Sequence, residues 1–90
     1  MTTTTKMIDA MFIRVINMTE GLAALYVEDT PPELVVEARA LAMDADTLID
    51  DCYRSEQRVE EARRLNMANM TMLDHVWAVE GWAARERRRA

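Results

Sequence analysis

The sequence predicts an all-α fold: an antiparallel helical hairpin followed by a third, C-terminal helix, a small bundle completed by dimerisation. Three observations predict it. Only two Gly and two Pro interrupt 90 residues rich in Ala, Leu, Met, Glu and Arg, which are strong helix formers. Apolar residues recur at alternating steps of three and four, the period of an amphipathic helix. One sharp punctuation, VEDTPPELV at 27–35, separates two such stretches with a helix-start signal.

The polar, β-branched run Thr2 to Thr5 reads as a flexible tail over 1–4, with Thr5 as an N-cap. A helix over 5–28 follows, its stripe made of Ile8, Phe12, Val15, Thr19, Leu22 and Tyr26. Met11, Ile16, Met18, Ala23 and Leu25 widen that stripe. Gly21 interrupts it at a cost of about 1 kcal/mol relative to Ala. Close approach of a neighbouring backbone, or a local break near NMTEG, would account for a glycine there.

The second helix is expected over 31–67. Thr30 caps it, Pro31 takes the first helical position, and Glu33 completes a capping box. Its seam is Leu34, Ala38, Leu41, Ala45, Leu48 and Cys52, with small residues at alternate positions that allow close helix approach. Seven of the eleven residues from Arg54 to Arg64 are charged and of mixed sign, so the helix is expected to continue there as a solvated rod resting on Val59 and Ala62. At NMANMT the propensity weakens. Thr71 and Asp74 repeat the capping-box spacing, which places a break near 66–71 and a third helix over 72–88. The alternative is one unbroken rod, which leaves Trp77 and Trp82 without a partner in the chain.

Ninety residues amount to a single small domain of marginal core. The formal net charge of -5 argues against a general nucleic-acid binder, although the charge is uneven. Eleven acids face three arginines from Glu28 to Glu61, and six arginines face three acids from Ala62 to Ala90. A lone cysteine, Cys52, makes no internal disulfide and suits a reducing cytoplasm. No apolar run approaches the ~20 residues that span a bilayer, and Asp9, Arg14 and Asn17 break the N-terminal apolar stretch, so neither membrane anchoring nor a signal peptide is expected.

Catalysis and metal binding lack their usual residue sets. The single histidine, His75, has no co-ligand at helical spacing and no ordered carboxylate. Cys52 lies beside Asp50 and Asp51, the wrong electrostatics for a reactive thiolate. Asp44, Asp46, Asp50 and Asp51 form acidic surfaces on the second helix: Asp46 and Asp50 share one face, Asp44 and Asp51 another. Two such carboxylates hold Mg²⁺ only when a substrate phosphate supplies further oxygens. No catalytic residue, metal site or cofactor is therefore expected.

Binding is the better reading. On a wheel of residues 72–88, Trp82, His75, Val79, Met72, Ala83, Val76, Glu80, Leu73 and Trp77 form an arc of about 220°, wider than one neighbour requires. The first helix has a similarly wide arc. Met70, Met72, Leu73, Val76, Trp77, Val79 and Trp82 are accordingly the expected protein interface. A homodimer is the economical way to cover it, and Met-rich surfaces also repack around a heterologous protein target. The chain is expected to act as a regulator, inhibitor or adaptor. The alternative is nucleic-acid linked: the Asp44, Asp46, Asp50 and Asp51 surface imitating phosphate toward a DNA-binding protein, or Arg85, Arg87, Arg88 and Arg89 touching nucleic acid directly. Those arginines also complement the helix C-terminal dipole.

Overall fold

The computed structural model describes the backbone of residues 2–24 and 30–89, and the side chains of 6–24 and 30–81. Three helices carry that backbone: α1 (Thr2–Ala24), α2 (Pro32–Ser55) and α3 (Val59–Arg89). The longest, α3, is about 46 Å at 1.5 Å per residue and spans most of the 52 Å long dimension of the chain. It packs on both other helices, while α1 and α2 meet much less.

The seams read from the sequence point inward. Ile8, Val15 and Leu22 of α1 join Ala38, Leu41, Ala45, Leu48 and Cys52 of α2 in one core. From α3 that core takes Ala62, Leu65, Met72 and Val76. Each large aliphatic side chain so buried contributes about 1.5–3 kcal/mol of transfer free energy. The alanines on α2 let α3 approach closely. Arg39 of α2 and Glu80 of α3 clip the outer edge of that pair, with Nε to Oε1 at 2.9 Å and Nη2 to Oε2 at 2.6 Å.

The expected helix boundaries within the described residues move. Residues 2–4, expected as a tail, are helical, since α1 starts at Thr2. The expected end of that helix, 25–28, lies outside the described residues. Pro31 is not the first helical residue: it is the N-cap, extended at φ -63° and ψ 139°, with no side-chain cap bond. A residue before proline is pushed out of the helical region, so the second of two prolines opens the helix. The expected first-turn role passes to Pro32, and the Leu34 amide donates to the Pro31 carbonyl at 3.0 Å.

The larger correction concerns the end of α2. The break falls at 56–58, not at 66–71, and neither the expected helix over 31–67 nor an unbroken rod exists. Glu56 adopts the left-handed conformation at φ 56°, ψ 32°. Its amide donates to the Tyr53 carbonyl at 3.3 Å, and the Gln57 amide to the Cys52 carbonyl at 3.1 Å. This pair of bonds is a Schellman C-cap, with Glu where Gly is usual. Arg58, also left-handed at φ 55°, starts the next helix by accepting from the Ala62 amide at 2.9 Å. Thr71, expected as a cap, lies in mid-helix and donates its hydroxyl to the Met67 carbonyl one turn back, at 3.1 Å. That is the usual escape for a threonine inside a helix.

Candidate functional site

The expected Met/Trp interface separates into two populations. Met72, Val76 and Val79 are buried, and Leu73 is half-buried against the core. The wide arc of this segment therefore has an intrachain explanation: α3 has a neighbour on each side, and both must be met with apolar residues. Met70 and Trp77 stay exposed. With Met67 they lie outside the α3 seam, 66% exposed at Met67 and 59% at each of the other two. Trp82 belongs to α3 as backbone, and its side chain lies outside the described residues.

Asp44, Asp46, Asp50 and Asp51 are all exposed, and the structure does not gather them. Asp46 faces α3, where its Oδ1 accepts from Asn69 Nδ2 at 3.1 Å. Asp50 pairs with Arg54 one turn on, at 2.6 Å. Asp44 and Asp51 instead border the α1 side of the helix. Arg85, Arg87, Arg88 and Arg89 continue α3 as backbone, and their side chains lie outside the described residues. Among the described residues no group of three or more His, Cys, Asp or Glu could hold a metal ion, and no helix is long and apolar enough to cross a membrane. His75 is half-buried on α3. Cys52 is a buried free thiol. Burial raises its pKa above the ordinary 9.0, the Asp51 and Glu61 carboxylates push it further, and Arg58 opposes them.

Two features escaped the sequence reading. Asn69 is 1% exposed and donates both to the Ala42 carbonyl, at 3.2 Å, and to Asp46. Its own Oδ1 is buried without a partner. The spacing 62, 65, 69, 72, 76, 79 could have revealed it as a seam position, since it alternates steps of three and four.

The second is a groove between α1 and α2. Its middle stretch, about 400 Å³, is lined by Met7, Met11, Arg14, Asp44, Leu48 and Asp51. One end continues past Cys52 and Ser55. The other continues past Met18, Gly21, Leu34, Glu37 and Leu41. Comparison of the chain with protein-family models, with curated proteins and with solved structures finds no match.

Proposed function

We propose that the chain is a non-catalytic protein-interaction module that binds another protein through the outer face of α3 and acts as a regulator, inhibitor or adaptor. One observation carries the reading: Met67, Met70 and Trp77, three large apolar side chains, stay exposed on one helix, outside its core seam. Single apolar residues scattered on a surface are ordinary, but three large ones within about three turns of one helix are the kind of grouping that marks an interaction site. Trp is enriched among residues that dominate binding energy, and Met adapts to the partner's contour.

A second reading, homodimerisation through the same residues, is favoured by their lying on one helix, α3. An apolar patch on a single helix can pair with its own copy about a two-fold axis. Site-specific photo-crosslinking in the native host distinguishes the two. A crosslinker at Met70 or Trp77 should capture one distinct protein, and one at Glu33 should not. Capture of only the chain itself would move the assignment to the homodimer, and no capture at either α3 position would refute both.

A further inference from the structure

We propose that the groove between α1 and α2 seats an amphipathic partner helix that carries basic side chains at seven-residue intervals along one edge and completes a four-helix bundle. This goes beyond the α3 reading and rests on a different face of the molecule.

The geometry starts from the unequal packing of the three helices. Because α3 packs closely on both others and α1 meets α2 least, two helix flanks converge without closing, which is the empty fourth position of a bundle. The floor is apolar: Met11, Met18 and Leu34 are half-buried there, above buried Leu41 and Leu48. At the open end Met7 remains 52% exposed. Along the α2 wall stand Glu37, Asp44 and Asp51, spaced seven residues apart, against a single cation on the α1 wall, Arg14. None of the three carboxylates has an ion-pair partner among the described residues. In a helical bundle those rim positions choose the partner by charge.

Gly21 is the independent observation. It lines the same groove, yet a Cβ there would meet nothing within 4 Å among the described residues. Packing against the described residues therefore gives no reason for a residue that weakens a helix interior. A helix laid into the groove passes over that position and gains a close approach from the missing side chain.

The rim also decides between occupants. Three carboxylates against the one guanidinium of Arg14 leave each groove net acidic, so groove-to-groove pairing of two copies sets like net charges together, which is repulsive. Seating α3 of a second copy in the groove is a head-to-tail contact that does not close unless the rotation happens to form a ring. A basic heterologous helix has neither difficulty. The three carboxylates span about 21 Å, a rise of fourteen residues, so two to three heptads suffice.

The test uses the full chain and two synthetic, fluorescently labelled amphipathic peptides of about three heptads, with Leu at the seam positions. One carries Lys at every seventh residue along one flank, the other Glu at the same places. Fluorescence anisotropy should show the Lys peptide binding at least about tenfold more tightly, as expected for three rim charge pairs. The triple variant E37Q/D44N/D51N should remove that preference, and Gly21→Phe should abolish binding while circular dichroism stays unchanged. M70S/W77S should leave binding intact, so the groove and the α3 patch stand or fall separately. Equal affinity for the two peptides, no binding of either, or indifference to the triple variant would each overturn the proposal. So would light scattering that shows a wild-type dimer split by Gly21→Phe, because the occupant would then be a second copy.

Discussion

Asn69 Nδ2 lies 3.1 Å from Asp46 Oδ1, a bond from the buried middle of α3 to the rim of α2. The same nitrogen reaches the Ala42 carbonyl, so one amide holds two successive turns of α2. A polar residue in an apolar seam costs stability and sets register. Here the cost is visible in the unpartnered Oδ1, and the register it sets is that of the α2–α3 pair.

Asn69→Asp tests this isosterically. It replaces the donor with a carboxylate, buried and facing Asp46, so it should destabilise the chain by about 3 kcal/mol or more at neutral pH. Both burial and the neighbouring charge favour the protonated acid, so the introduced group has a native pKa above its unfolded value. The penalty should therefore grow as pH rises through about 4 and shrink on acidification. Asp46→Asn keeps an acceptor for Asn69 and should cost less than about 1 kcal/mol. Urea melts between pH 3 and 7 read both, and equal losses for the two variants would refute the register role.

What was legible in the sequence follows from what periodicity can encode. The seams of α1 and α2 were readable because Val15, Leu22, Ala38, Leu41, Ala45 and Leu48 are apolar at regular steps. The α3 seam is masked in the sequence by the weak helix propensity of NMANMT, with Asn69 at a seam position, and by the Thr71/Asp74 capping-box spacing, which together point to a break at 66–71. The real break was invisible for the complementary reason. It is made by Glu56 and Arg58 in left-handed conformations, and neither residue type announces that geometry as Gly would. The groove was not legible at all. The seam pattern shows which faces turn inward and says little about how far apart two helices stand.

Glu56→Gly should stabilise the chain. An L-residue at a C-cap in the left-handed region carries a penalty of about 1 kcal/mol that glycine avoids. Both Schellman bonds use the backbone, so they survive the change, as does the bond from Ser55 Oγ to the Cys52 carbonyl at 3.3 Å. The expected gain is about 1 kcal/mol, a rise in Tm of roughly 4–8 °C for a domain of this size. A fall in Tm would mean that the Glu56 side chain makes a contact worth more than its backbone strain.

Cys52 gives a pH dependence on the alkaline side. Its folded pKa lies above the ordinary 9.0, first through burial and then through Asp51 and Glu61. As pH rises through that ordinary value, the unfolded thiol ionises before the folded one, so stability falls and continues to fall up to the folded pKa. Below pH 9 the group has no effect on the slope. Cys52→Ala should lower stability at every pH through the lost volume but flatten this alkaline limb. Alkylation of the native thiol should also be slow until the chain unfolds, because the thiolate is the reactive form. A limb as steep in Cys52→Ala as in the native chain would assign it to other groups.

Gly21 and Gly81 turn the question of what covers this molecule into a stability measurement. At both, a Cβ would meet nothing within 4 Å among the described residues, and both backbones are helical without positive φ. Alanine at either position should therefore raise the stability of the free chain by about 1 kcal/mol, the helix-propensity difference. Gly81 follows Met70 and Trp77 at helical steps of eleven and four, on the exposed side of α3, whereas Gly21 lines the groove. Any surface laid closely over either position reverses the sign, because the added methyl then meets an atom. Melts of Gly21→Ala and Gly81→Ala over a hundredfold range of protein concentration separate the cases. A gain at both, independent of concentration, describes an uncovered monomer with both faces open to partners. A loss at Gly81 that deepens as protein concentration rises would place a second copy on the α3 patch, while a gain retained at Gly21 would leave the groove vacant for a helix from another protein.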